Sequence, residues 1–177
     1  MMSAFWVFCF YFFERLFEIL LAKRNWRILQ NLGGKQYASQ NYRTIVVLHV
    51  LFWGSLLSES WPWWIPLDLL TISCLFSLAL LMVVRYWCIL SLGPYWNTRI
   101  IVVPGQARIK RGPYRWLRHP NYLVVSLEFV LIPLLMRAPW TLFLFSLANL
   151  IVLRQRITLE EKALTEHSGT SLHGNSS

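Results

Sequence analysis

Apolar residues fall in five runs along the chain, at about 4–22, 44–57, 66–92, 120–136 and 139–153, with polar residues collected between them. The runs reach or approach the length at which a helix crosses a bilayer, roughly 20 residues. The second is short for that task and calls for tilt or local thinning. The fourth and fifth are separated only by "RAP". Three residues carry the chain nowhere else, so this pair is a tight antiparallel hairpin. The pattern predicts an all-α integral membrane fold of about five transmembrane helices closing in a C-terminal helical hairpin; four spans plus a re-entrant hairpin is the alternative count. Residues 1–166 form a single membrane domain. The small, polar tail 167–177 has no apolar period and is expected to be disordered.

Composition agrees with this class. The chain is 56% apolar and 16% aromatic, with ten Trp among its 177 residues. A soluble domain of this size could not hide so much apolar surface. The formal charge of +9 marks a cytoplasmic face and anionic membrane lipids as partners, not nucleic acid. Basic residues crowd 23–43, 93–118 and the stretch after the fifth run, whereas "SESWPWWIP" (58–66) has none. An odd number of spans then places the N-terminus outside and the C-terminus in the cytoplasm of a multi-pass integral membrane protein. The first run carries Glu14, Arg15 and Glu18 and lacks a basic leader, so it reads as a span and not a cleaved signal. Cys9, Cys74 and Cys88 lie inside apolar runs without CxxC spacing, and the His residues are scattered. Neither a disulfide nor a metal site is expected.

The chemistry concentrates in "RGPYRWLRHPNYLVV" (111–125). Gly112-Pro113 makes a turn. Pro120 disfavours helix at His119 and suits the first position of a helix starting there. The free N–H groups of that helix start favour a carboxylate or phosphate. Arg115, Arg118, His119, Tyr114 and Tyr122 stand around it. An ordinary interfacial anchor of Arg, Trp and Tyr would look the same from this stretch alone.

A second cluster, "RQRITLEEKAL" (154–164), follows the fifth run. Arg156 and Glu160 are four apart and share a helix face. The hairpin returns this segment to the neighbourhood of His119, where a helix start, a His, an Arg and a carboxylate converge. A solvated tail with a surface ion pair is the bland alternative. Arg85 and Glu128 add charges at membrane depth, where charges usually find a partner or a wet cavity. They are expected to pair, as is Arg15 with a carboxylate, while His49 reads as a hydrogen-bonded packing residue. No GxGxxG, P-loop, HExxH or GxSxG is present.

"GPYRWLRHPNY", a hairpin and then "RITLEE" resemble the isoprenylcysteine carboxyl methyltransferase family over about 95–164. "ERLFEILLAKRN" (14–25) and "RYWCILSLGPYWNTRIIVVPG" (85–105) are similar to its bacterial branch of alkylpyrone O-methyltransferases, which work beside type III polyketide synthases. The resemblance implies S-adenosyl-L-methionine as cofactor, a cytoplasmic cofactor pocket, and a tunnel through which a lipophilic small molecule or prenylated substrate arrives from the bilayer. It implies that Tyr114, His119, Pro120, Asn121 and Tyr122 line the cofactor site and that Glu160 holds the cofactor. Gln106, Ala107, Arg108 and Ile109 would touch it too, and Arg156 would meet the acceptor end of the substrate as the catalytic residue. Two positions differ from the family's pattern. Its usual FG…Y..Y continuation is replaced here by "EEKALTEHSGTSLHGNSS", and Val124 stands where a small residue is common.

The expected reaction is O-methylation of a carboxylate or enolate, an acceptor already nucleophilic, so positioning supplies much of the rate and no strong base is needed. Arg156 would orient the anion by paired hydrogen bonds. The alternatives are a phospholipid N-methyltransferase and a non-catalytic membrane subunit that binds anionic lipid at its basic edge.

Overall fold

The computed structural model describes residues 1–168, with only the backbone of 167 and 168. Five long helices occupy the five expected segments: α1 (Ala4–Asn31), α2 (Ser39–Glu59), α3 (Leu69–Leu92), α4 (Pro120–Leu135) and α5 (Pro139–Ser168). By length and composition, residues 69–95 and 139–166 suffice to cross a membrane, and α4 is a shorter apolar helix. Six charged residues in α1, three of them (Glu14, Arg15 and Glu18) within its apolar run, and the polar ends of α2 set these two apart.

α1 shows how the fold treats its charges. Its buried residues are Ala4, Val7, Tyr11, Glu14, Glu18, Ala22, Asn25 and Leu29, a repeat of three and four that draws one stripe along a helix. That stripe carries the carboxylates, while Phe5, Trp6, Phe10, Phe13 and Phe17 on the other faces are exposed. A helix that turns charge inward and aromatic rings outward suits a lipid surround.

α2 is 21 residues long, about 31 Å at 1.5 Å per residue, because Ser39 to Arg43 and Ser58-Glu59 extend the helix beyond its apolar run. α5 continues to Ser168; the tail expected to be disordered otherwise lies outside the described residues. The fold is all-α, with four very short strands beside the helices. Two antiparallel strand pairs cap the bundle, one at each end: β1 (Met2–Ser3) with β3 (Trp64–Ile65), and β2 (Lys35–Tyr37) with β4 (Ile100–Val102).

The hairpin of α4 and α5 turns on Met136, Arg137 and Ala138, with Arg137 in the left-handed region at φ 57°. Glu59 accepts from the N–H groups of Trp140 (2.8 Å) and Thr141 (2.7 Å), which satisfies the free donors at the start of α5. Arg137 pairs with Asp68, the N-cap of α3, at 2.5 Å. These contacts and the Trp-rich 61–64 segment close one end of the bundle. The basic segments gather at the other, where the candidate site lies. Inside, Phe52 stacks on Phe129 with ring centroids 4.3 Å apart, and His49 meets the edge of the Phe129 ring while its Nδ1–H donates to the Ile45 carbonyl at 2.8 Å.

Candidate functional site

Gly112 lies at φ 53°, a conformation that costs glycine little. It starts a short 3₁₀ turn, Gly112–Arg115, which packs on α3 so closely that a Cβ at Gly112 would stand 2.0 Å from Ser91 Oγ. After the turn His119 is the N-cap of α4 and Pro120 its first residue, as the sequence requires. The turn and the hairpin together bring the start of α4 against the far part of α5.

The two polar clusters meet there. His119 Nε2–H donates to Glu161 Oε1 at 2.8 Å, and its Nδ1 is 3.9 Å from Glu160. Arg108 donates to the same Glu161 oxygen at 2.9 Å and to the Arg118 carbonyl at 3.1 Å. Arg156 is only 5% exposed, so it is no surface ion-pair residue. Its Nε donates to the Tyr122 hydroxyl at 2.7 Å and its Nη2 to the Thr98 carbonyl at 2.8 Å. The Tyr122 hydroxyl in turn donates to Glu160. The His119 ring lies parallel to the Tyr122 ring at 5.3 Å, and the Arg156 guanidinium sits over that ring, 5.5 Å from its centroid.

Most of these groups line one polar cleft made of two adjoining cavities of about 90 and 130 Å³. The first is walled by Tyr114, His119, Asn121, Tyr122, Arg156 and Glu160. The second continues under Gln106, Ala107, Arg108 and Ile109, with Glu160 common to both. Pro120 lines neither cavity; it is buried at the head of α4. Burial, with Cys88 and Glu160 nearby, pushes the Tyr114 hydroxyl well above the usual phenol range, so it stays neutral. Two buried polar atoms on the walls, Trp96 Nε1 and Asn121 Oδ1, have no hydrogen-bond partner among the described residues.

Several contributors were not read from the sequence. Glu161 binds His119 and Arg108; its adjacency to Glu160 in "RITLEE" was the available signal. The 93–98 segment supplies Tyr95, Trp96 and Asn97 to the cleft wall and the Thr98 carbonyl behind Arg156. It is tied to α1 by Asn25, whose Nδ2 donates to the carbonyls of Gly93 (3.2 Å) and Trp96 (2.7 Å), and by Asn97, which donates to the Ala22 carbonyl at 2.9 Å. A backbone acceptor leaves no signature in residue types.

A second, apolar space of about 400 Å³ lies between α1 and α2 and opens outward. Phe8, Phe12, Ile19, Ile45, Val46 and Trp53 line it, with Arg15, Glu18 and His49 as its polar part. Thr98 also lines it. The groove therefore ends at the residue whose carbonyl holds Arg156 of the cleft.

The bundle thus holds a buried Arg, a His and two carboxylates around a cleft at one end, with an apolar groove beside it. The chain belongs to the isoprenylcysteine carboxyl methyltransferase (ICMT) family, whose sequence pattern matches residues 71–166. It is 40% identical over 162 residues to the uncharacterized protein YpbQ of Bacillus subtilis (strain 168), covering 88% of this chain and 92% of that one. It is 22% identical over 152 residues to an uncharacterized protein of Haemophilus influenzae (strain ATCC 51907 / DSM 11121 / KW20 / Rd), covering 85% and 88%. No solved structure gives a significant match. Membership implies a membrane-embedded methyltransferase. The α4 start and the Arg156–Glu161 segment lie within the matched residues.

Proposed function

We infer that the protein methylates the carboxylate or enolate oxygen of a lipophilic acceptor, using S-adenosylmethionine bound in the polar cleft. The observation that carries this reading is the buried Arg156, held by the Tyr122 hydroxyl and the Thr98 carbonyl where cleft and groove adjoin. Two of its five N–H groups fix the guanidinium plane, and the others remain to orient an anion by paired hydrogen bonds.

The cleft suits an amino-acid and nucleoside cofactor. Glu160 offers a carboxylate to its donors, Trp96 Nε1 a buried donor and Asn121 Oδ1 a buried acceptor. When bound, the cofactor supplies an electrophilic methyl group on a sulfonium. The chain's own residues do the rest: Arg156 aligns the acceptor, Tyr122 spaces it from Glu160, and the apolar groove receives the hydrocarbon tail and excludes water. An anionic acceptor needs no strong base. An amine acceptor, as in a phospholipid headgroup, gains nothing from an arginine.

Among acceptors we favour an alkylpyrone-like ring over a prenylcysteine. The two stretches similar to that branch, 14–25 and 85–105, pack on each other through Arg85–Glu18, Asn25–Gly93, Asn25–Trp96 and Asn97–Ala22. They thus frame the site as a unit. All five helices cross the bilayer in this reading, with the basic end and C-terminus in the cytoplasm of a bacterium. Charge-reporter fusions at residue 165 should report the cytoplasm; an external signal overturns the orientation.

The deciding experiment is methyl transfer from labelled S-adenosylmethionine to alkylpyrone, prenylcysteine and phospholipid acceptors in nanodiscs. Label is expected in the alkylpyrone. Label only in prenylcysteine moves the substrate class, and no saturable cofactor binding rejects the enzyme in favour of a lipid-binding subunit.

A further inference from the structure

The charges inside the bundle do not balance. Glu14 and Glu18 of α1 and Glu128 of α4 surround the guanidiniums of Arg15 and Arg85, and Arg85 is 1% exposed. Glu18 accepts from Arg15 and Arg85 at 2.6 Å each. Glu128 accepts from Arg15 at 2.6 Å and also from Arg85. Each of these carboxylates is therefore matched by two guanidinium N–H groups.

Glu14 is not. It is 6% exposed, and neither of its oxygens meets a hydrogen-bond donor among the described residues. Its nearest cationic atoms are Arg15 Nε at 3.7 Å and Arg85 Nε at 3.8 Å, and both of those nitrogens also lack a hydrogen bond. Three carboxylates against two guanidiniums leave one negative charge in excess. In an apolar interior an uncompensated ion is the costliest state, and a carboxyl there neutralises instead.

We propose that this cluster is an intramembrane proton-binding site in which Glu14 is held as a neutral carboxylic acid. Glu18 follows four residues on, on the same buried stripe of α1. The other titratable groups facing the cluster supply no compensating charge. Tyr11 of α1 and Tyr86 of α3 are phenols. His49 of α2 has its Nδ1–H committed to the Ile45 carbonyl and its ring against Phe129. With the proton in place the five residues are neutral as a set, and the polar part of the groove, Arg15 and Glu18, carries no net charge inward. This site is independent of the methyl-transfer reading.

The test is infrared spectroscopy of the full-length protein in nanodiscs at neutral pH, before and after exchange into D2O. A protonated carboxylic acid has a carbonyl stretch well above the carboxylate bands. Wild type should show that band, and Glu14→Gln should lose it. Glu14→Gln removes no charge from the neutral form, so its thermal midpoint should match wild type, whereas Glu18→Gln and Glu128→Gln should each lower it. A wild-type spectrum without the band, or one that keeps it in Glu14→Gln, overturns the assignment. So does a Glu14→Gln protein as destabilised as the other two, because that result requires an ionised Glu14.

Discussion

Arg156 Nε donates a hydrogen bond to the Tyr122 hydroxyl at 2.7 Å, and the same hydroxyl donates onward to Glu160. One phenolic oxygen thus fixes the distance between the residue proposed to hold the acceptor and the residue proposed to hold the cofactor. Tyr122→Phe keeps the ring that His119 stacks on and removes only that oxygen. A hydrogen bond to a charged group is worth about 1.5–3 kcal/mol. Both acceptor turnover and cofactor affinity should therefore fall by roughly tenfold or more. Calorimetry and single-turnover methyl transfer on the same preparation check this. Loss in one quantity alone would assign the hydroxyl to that ligand only.

Much of this arrangement is legible in the sequence because each signal there is local. Gly112-Pro113 specifies a turn, Pro120 a helix start, "RAP" a hairpin, and the spacing of Arg156 and Glu160 a shared face; together they force the two clusters to meet. Other features depend on contacts between distant segments. β2 and β4 are three residues each, too short for any period to show, and exist because the 33–38 loop passes beside 100–102. Asn25 looks like a helix residue in a basic stretch until its amide is seen holding the 93–96 carbonyls. Glu14 shows the converse. Its place in the sequence foretells a partner for a membrane charge, yet the count of partners is set only when α1, α3 and α4 pack.

His119 stands between the carboxylates of α5 and the start of α4. His119→Ala removes a donor to Glu161 and, in the proposed reading, a contact to the cofactor. S-adenosylmethionine affinity should drop by about 1–3 kcal/mol, while the protein still inserts. Glu161→Gln keeps the His119 ring in place and should cost less affinity. Equal losses in the two variants would mean that His119 acts only through Glu161.

Gly112 tests the turn that brings α4 to the site. A Cβ there would meet Ser91 Oγ at 2.0 Å and Trp87 Nε1 at 2.9 Å, at a positive φ. Gly112→Ala should destabilise by about 1–3 kcal/mol, the usual range for overpacking. A lower thermal midpoint in detergent checks it. Ser91→Gly in the same chain should recover part of the loss, since it removes the nearest atom but leaves the backbone strain.

The last prediction separates the two halves of "RITLEE". Arg156→Lys keeps a positive charge but loses the planar fork, and an ammonium group cannot hold the Tyr122 hydroxyl, the Thr98 carbonyl and an acceptor anion in one plane. Methyl transfer should fall by about tenfold or more while cofactor affinity stays near wild type. Glu160→Gln preserves size and the contact with Tyr122 but removes the carboxylate charge, so cofactor affinity should weaken first and turnover at saturating cofactor should change less. A surface ion pair would give neither result, since breaking one costs at most about 1 kcal/mol of stability, and the 5% exposure of Arg156 already argues against that description. Both quantities should be measured for both variants in one nanodisc preparation. If the two variants lose cofactor binding equally, the cleft still binds cofactor but Arg156 belongs to the cofactor's side of it. If neither quantity moves in either variant, methyl transfer does not occur at this cleft.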